Sequence, residues 1–245
     1  MSAPQLARRL NGVRIAYDVV PGERPVLLVH GFASSGTATW GATGWVRFLT
    51  DAGRGVIVPD LRGHGRSDAP QAAADYEPRQ MAADLVLVLD ELGLDQVDVI
   101  AYSLGSRVAA ALTRLAPERV RRVVLGGAGP IEHFAAWPAD DLQRFVMEGA
   151  VPRDPTIAAV LGPALAGGAD RLALLACVQG MTGSELDVPA GIPRLYVSGT
   201  ADPIPEGVAE LARTVGAEYV ALPGRTHLNA LGAPEFKRAA LAFLA

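Results

Sequence analysis

Cysteine is nearly missing from this chain: Cys177 is the only one in 245 residues. An intrachain disulfide is therefore excluded, and no redox compartment is implied. Cys177 lies in an apolar helical stretch with nothing nearby in sequence to lower its pKa, so it reads as a small core residue rather than a nucleophile. Runs of like charge are missing too. With a net charge of −4 spread along the chain, nucleic acid and anionic lipid are poor electrostatic partners. No apolar run approaches the length needed to span a bilayer. The N-terminal stretch from Met1 to Arg9 lacks the apolar core of a signal peptide. The expectation is a cytoplasmic protein with no membrane partner. Lysine is reduced to Lys237, a skew toward arginine to which no function is assigned. Histidines 30, 64, 133 and 227 have no spacing resembling a zinc site. Neither a metal nor a cofactor is expected, and the partner left is a small-molecule substrate. Oligomeric state cannot be read from these letters.

What is present suits one sizeable core. Half of the residues are hydrophobic and a fifth are charged, an ordinary globular profile. A chain of this length buries about 70 to 75% of its unfolded surface. The stretch from Leu6 to Val20 alternates loosely and is broken by Asn11-Gly12, a hairpin signal. Short apolar runs at Val26–Val29, Val56–Val58, Val97–Ala101, Val123–Leu125, Leu195–Val197 and 218–222 read as strands, the inner ones buried. Between them, helical spacing covers 39–52, 77–92, 104–116, 208–215 and 235–244. Residues 72–74 carry no clear signal and read as a mobile, alanine-rich loop. From Pro130 to Pro189 the strand rhythm stops, and three helices are expected, near 140–148, 154–165 and 170–181. Two of them open on Asp154 and Asp170. Strands alternating with helices imply an α/β architecture, a mostly parallel sheet covered on both faces.

The chain is organised around Val97 to Leu112. A β-branched strand turns directly into an Ala- and Leu-rich helix, with Ser103 at the corner and small residues at 101 and 105. Ser103 reads either as a helix N-cap or as a nucleophile held out of the backbone on a strained elbow. The rest of the chain favours the second reading. A serine hydroxyl needs a base, and His227 follows the last strand in a Gly-containing loop. Asp202, after the preceding strand, is then the carboxylate that fixes the imidazole tautomer. On its own, Asp202 would be a turn former before proline. The backbone N–H groups of Leu104 and Phe32 are placed to receive an oxyanion, each such donor contributing roughly 3 to 4 kcal/mol in known cases. His30 reads as a shaper of the Phe32 loop, His64 as part of its Gly-flanked turn, and His133 as either a surface group or a substrate contact. Asp60 is the rival acid, although its neighbours suggest a structural turn.

These pieces together resemble the α/β-hydrolase fold family over essentially the whole chain. The resemblance rests on His30-Gly31-Phe32, on the segment Asp60-Leu61-Arg62-Gly63-His64-Gly65-Arg66-Ser67, on the Ser103 elbow, on Gly199-Thr200-Ala201-Asp202, and on His227. It implies an eight-stranded sheet formed by 1–129 and 190–245, with a small helical cap, 130–189, inserted after strand six rather than folded as an independent domain. It also implies acyl-enzyme chemistry. One departure is Ala101, where the family's elbow usually begins with Gly; modest crowding is expected. Family members that open epoxides or remove halide use aspartate at the position of Ser103, which argues against those activities. The expectation is a serine hydrolase of a carboxylic ester or lactone of a small, largely apolar substrate. Phe134, Trp137, Phe145 and Met147 of the cap, with His30 and Tyr102, are candidate pocket residues, although the cap side chains equally suit cap core. Thioester or C–C bond cleavage at the same site is the alternative. A ligand-binding protein with a vestigial site is a third reading. A nucleotide-binding reading is weaker still, because Gly126-Gly127-Ala128-Gly129 lacks the G-x-G-x-x-G spacing.

Overall fold

The computed structural model describes residues 5–245. Its strands are β1 (Gln5–Arg8), β2 (Arg14–Val20), β3 (Glu23–Val29), β4 (Arg54–Pro59), β5 (Val97–Tyr102), β6 (Val120–Gly126), β7 (Arg194–Gly199) and β8 (Glu218–Leu222). Its helices are α1 (Trp45–Asp51), α2 (Pro78–Glu91), α3 (Leu104–Leu115), α4 (Ala139–Glu148), α5 (Pro155–Ala166), α6 (Arg171–Met181), α7 (Val208–Thr214), α8 (His227–Leu231) and α9 (Pro234–Phe243). The strands form one eight-stranded sheet in the order β1-β2-β4-β3-β5-β6-β7-β8. β1 pairs with β2, and β2 with β4, antiparallel. Every other pairing is parallel. Asn11-Gly12 is the hairpin turn between β1 and β2, with Gly12 at φ +91° and Arg8 opposite Arg14.

The central strands are apolar on both faces because helices cover both. Leu27, Val29, Val99, Ala101, Val123 and Leu125 face α2 and α3. Their alternates Val26, Leu28, Ile100, Tyr102 and Val124 face α1 and α9 through Trp45, Leu49, Phe236 and Ala240. Between β6 and β7 the chain runs through a short 3-10 turn, Phe134–Ala136, and then α4, α5 and α6. Asp154 and Asp170 cap α5 and α6 by accepting from the Thr156 and Ala173 N–H groups, each at 2.9 Å. Leu142, Val146, Ile157, Leu161, Leu174 and Val178 form the insertion's own cluster. The other side of α6 sets Ala173, Ala176, Cys177 and Met181 into the main core. The insertion therefore shares its base with the sheet domain. Burial raises the Cys177 thiol pKa far above its ordinary value.

Three local expectations are corrected. The helix expected over 39–52 is broken into a single π turn, Thr37–Gly41, and α1, with Gly44 between them at φ +75°. Trp40 and Trp45 are both fully buried, with ring centroids 5.6 Å apart. Five residues along an unbroken helix would point them about 140° apart, so the break is what lets both enter one cluster. Residues 72–74 are not a free loop. Ala73–Tyr76 is a 3-10 turn held under α6 at Gly180, where any Cβ would sit 2.8 Å from that of Tyr76. Tyr76 and Arg62 lock it further, donating to the Pro70 carbonyl at 2.5 Å and the Asp75 carbonyl at 2.6 Å. Finally, the Gly-containing loop expected to carry His227 gives way to α8 at that residue. A capping box sets that start: Thr226 accepts from the third helical N–H, and Asn229 accepts from the Thr226 N–H at 2.8 Å.

α3 crosses β3 at close range. A Cβ at Gly105 would lie 2.5 Å from the His30 carbonyl oxygen and nearer still to that of Val29. Gly105→Ala should therefore destabilise the fold by at least ~2 kcal/mol, since backbone must move. Gly162→Ala, with nothing within 4 Å of its added Cβ, should be neutral or stabilising by up to ~1 kcal/mol. Urea unfolding of the two variants checks both signs.

Candidate active site

The site begins with a strained backbone. Ser103 joins β5 to α3 at φ +55° and ψ −123°, a region that costs a non-glycine residue about 1 to 3 kcal/mol. Its N–H donates to the Gly126 carbonyl at 2.8 Å, which anchors the turn to the neighbouring strand. The hydroxyl makes no capping bond to α3. That geometry discards the N-cap arrangement and leaves Oγ aimed out of the turn. Ala101 is fully buried and in register with Val29 and Leu125, so its methyl is taken up by the core without displacing the turn.

Two further loops converge on that hydroxyl. His227 Nε2 lies 3.1 Å from Ser103 Oγ, and His227 Nδ1 lies 2.8 Å from Asp202 Oδ2. The Asp202 side chain has no exposure and the imidazole 22%. The carboxylate's other oxygen accepts from the Ile204 N–H at 3.0 Å. A carboxylate can only accept, so Nδ1 carries the proton and Nε2 presents its lone pair to Ser103. The loops after β7 and β8 are laced together. Ala201 N–H donates to the Arg225 carbonyl at 3.0 Å, Thr200 N–H to the Leu222 carbonyl at 3.0 Å, and Gly224 N–H to Thr200 Oγ1 at 2.8 Å. This crossing needs Gly199, because a Cβ there would overlap the Arg225 carbonyl.

The loop after β3 closes the other side. A Cβ at Gly31 would lie 3.2 Å from that of Ser103, so Gly31 and Phe32 pass directly beside the hydroxyl. Neither the Phe32 nor the Leu104 N–H has a partner among the described residues. His30 holds this loop. Its Nε2 accepts from the Leu61 N–H at 2.9 Å, so Nδ1 carries the proton and donates to the Gly31 carbonyl at 2.8 Å. Fully buried with both nitrogens engaged, His30 keeps no bond for a substrate, and burial lowers its pKa. Asp60 braces the same loop, accepting from the Gly36 N–H at 2.8 Å and from Arg66 Nε at 2.7 Å. Burial alone would raise the Asp60 pKa, but the bonds from Arg66 and Gly36 outweigh it and hold the carboxyl below its ordinary value. Its oxygens are committed to the turn, and the acid that meets His227 is Asp202.

The remaining candidates are spread over three places. Tyr102 lies beneath the site: its ring is in the core beside Phe236, and its hydroxyl donates to the His227 carbonyl at 2.6 Å. It props the histidine from below. Phe32, Phe134 and Trp137 form a chain of rings with centroids 5.0 and 5.1 Å apart, and Phe145 packs partly buried against the insertion's cluster. Met147 is 49% exposed and outside that cluster. His133 reaches the loop after Asp202, with Nε2 2.9 Å from the Ile204 carbonyl. The sequence carries no signal for the Tyr102 and His133 contacts, since each partner lies more than 70 positions away. Among the described residues, no group of His, Cys, Asp and Glu could hold a metal ion, and no helix is long and apolar enough to cross a membrane.

A family model described as alpha/beta hydrolase fold matches residues 24–159, more than half of the chain. The chain belongs to the alpha/beta hydrolase fold family. Within that family it is 34% identical over 151 residues to a 2-hydroxy-6-oxononadienedioate/2-hydroxy-6-oxononatrienedioate hydrolase of Klebsiella pneumoniae, a match covering 57% of this chain and 48% of that one. It is 33% identical over 117 residues to Epoxide hydrolase 2 of Siraitia grosvenorii, covering 46% of this chain and 35% of that one. The chain thus spans about a third to a half of the length of these curated relatives. Among solved structures, a thermophilic esterase from Thermogutta terrifontis superposes with a TM-score of 0.74 at 26% identity, over 98% of this chain and 95% of that one.

Buried histidines make the stability of this chain depend on pH. His64 is held neutral, with its pKa lowered from 6.5 to about 3 by burial and by neighbouring His30, whose ring lies 5.4 Å away. Between those two values the unfolded chain binds a proton that the folded chain refuses, so stability rises with pH. It is whole above about pH 6.5 and is lost as pH falls toward 3. From pH 7 to pH 5, His64 alone should cost the fold about 2 kcal/mol, with a further loss from His30. Urea unfolding at the two pH values measures it, and His64→Gln should flatten the dependence.

Proposed function

We propose that this chain is a serine hydrolase that cleaves a carboxylic ester or lactone of a small, largely apolar substrate through an acyl-enzyme. The observation that carries this reading is the relay from Ser103 Oγ to His227 Nε2 at 3.1 Å and from His227 Nδ1 to Asp202 at 2.8 Å, set on a positive-φ serine. In the first half-reaction Ser103 Oγ attacks the carbonyl carbon while its proton passes to His227 Nε2. The carbonyl oxygen takes the negative charge and meets the free N–H groups of Phe32 and Leu104. Collapse of that adduct expels the alcohol, which leaves with the proton from His227. In the second half-reaction water gives its proton to His227 and attacks the acyl carbon. The acid departs, and Ser103 recovers its proton.

Throughout, Asp202 balances the imidazolium, while Tyr102 keeps the ring from sinking toward the sheet. The aromatic chain of Phe32, Phe134 and Trp137 supports an apolar substrate portion. The esterase from Thermogutta terrifontis, alike over nearly the whole chain, adds support for ester chemistry. Epoxide opening is disfavoured, because Ser103 supplies no carboxylate to form an alkyl ester. C–C bond hydrolysis at the same site is the second reading, favoured by the relative from Klebsiella pneumoniae. A 2-hydroxy-6-oxo dienoate assayed beside simple esters separates the two.

Turnover of p-nitrophenyl butyrate by the wild type should fall by about 10⁴ to 10⁶ in Ser103→Ala, and a fluorophosphonate should label Ser103 in the wild type only. Equal rates in wild type and Ser103→Ala, or no adduct on native protein, would sink the reading in favour of a ligand-binding role. Tyr102→Phe should lower kcat about 3- to 10-fold with KM nearly unchanged, because it removes only a prop worth about 1 kcal/mol. Steady-state kinetics on the same ester checks that split.

A further inference from the structure

The helical insertion leaves and rejoins the sheet domain through two segments, 129–133 and 182–186, and one buried cation holds both. Arg107 lies on α3, four residues after Ser103, and is 6% exposed. Its Nη1 donates to the Ser184 carbonyl at 2.5 Å, and its Nη2 to the Gly129 carbonyl at 2.9 Å and to the Ile131 carbonyl. No carboxylate pairs directly with it among the described residues. A guanidinium buried among neutral carbonyls is a costly device for mere packing, where an apolar side chain would serve.

Glu132 makes the reciprocal tie from within the incoming segment. Its carboxylate accepts from the Phe134 N–H at 2.5 Å, the Ala135 N–H at 3.0 Å and, across the gap, the Gly183 N–H at 3.1 Å. The incoming segment is also seated on the loop that carries Asp202. A Cβ at Gly129 would lie 2.6 Å from the Glu206 carbonyl oxygen, and His133 reaches the Ile204 carbonyl. Directly after this clamp comes Phe134, whose ring meets Phe32 edge-on.

We propose that Arg107 and Glu132 are positioning residues that determine acyl-chain specificity. Together they clamp both segments of the insertion to the helix behind Ser103, and so fix where the Phe134–Phe32 wall stands beside the nucleophile. A short acyl group needs only Ser103 and its N–H donors. A longer one must lie along that wall, so its binding depends on the clamp. The specificity part rests on the ester-hydrolase reading; the clamp itself does not.

The test compares wild type with Arg107→Met, Arg107→Lys and Glu132→Ala, using p-nitrophenyl acetate and octanoate together with hydrogen exchange. In Arg107→Met, KM for octanoate should rise at least 10-fold with kcat within 3-fold. Both constants for acetate should stay within 3-fold. Amide exchange in 129–136 and 182–186 should quicken at least 10-fold while 104–115 stays protected, and Arg107→Lys should recover part of each effect. Exchange unchanged in those two segments, or KM rising equally for both esters, overturns the proposal. Should Arg107→Met not fold, Glu132→Ala carries the same two criteria. If the wild type turns over no ester, the functional reading falls, while the exchange measurement still decides whether the clamp exists.

Discussion

The structure depends on one uncomfortable turn. Ser103 is forced to φ +55° because β5 must become α3 within a single residue while α3 crosses β3 at the closeness that Gly105 allows. That strain is held by packing on every side: Ser103 N–H and Ser106 Oγ both donate to the Gly126 carbonyl, at 2.8 and 2.9 Å. The core beneath is built from fully buried Ile100, Ala101 and Val124. A turn of this kind withdraws the hydroxyl from the capping role that serine ordinarily plays and presents it to whatever lies above the sheet edge.

What lies above is assembled from loops that have no strength of their own. The Asp202 and His227 loops hold each other through main-chain bonds, and Tyr102 supports the result from the strand that leads into Ser103. The loop of Phe32 is fastened by His30 and Asp60, two side chains with catalytic chemistry but structural employment. Burial lowers the pKa of both His30 and His64, which gives the scaffold its sensitivity to acid. Rigidity around Ser103 and His227 is thus supplied by a ring of buried polar bonds rather than by the sheet alone.

Much of this plan was legible in one dimension, and the reasons are local. Apolar runs such as Val26–Val29 and Val97–Ala101 must be strands buried on both faces, and the Asn11-Gly12 pair must reverse the chain. Asp154-Pro155 must begin a helix. Ser103, Asp202 and His227 stood out because each follows a strand, and parallel strands deliver their following loops to one edge. The rest was illegible for an equally physical reason. The break between Trp40 and Trp45, which seats Trp45 against Phe236 and Leu231, the ordered turn at Ala73–Tyr76, the Tyr102 prop and the Arg107 clamp each answer to partners far along the chain.

The amino-acid order by itself determined the alternation of strand and helix, the place of the helical insertion, and the small set of residues whose chemistry suits acyl transfer, because periodicity and residue type act over a few neighbours. Only the tertiary structure decided where the chain breaks between Trp40 and Trp45, how Tyr102 supports His227, and how the insertion is tied down. Those outcomes depend on distances of a few ångströms between segments that the chain keeps far apart.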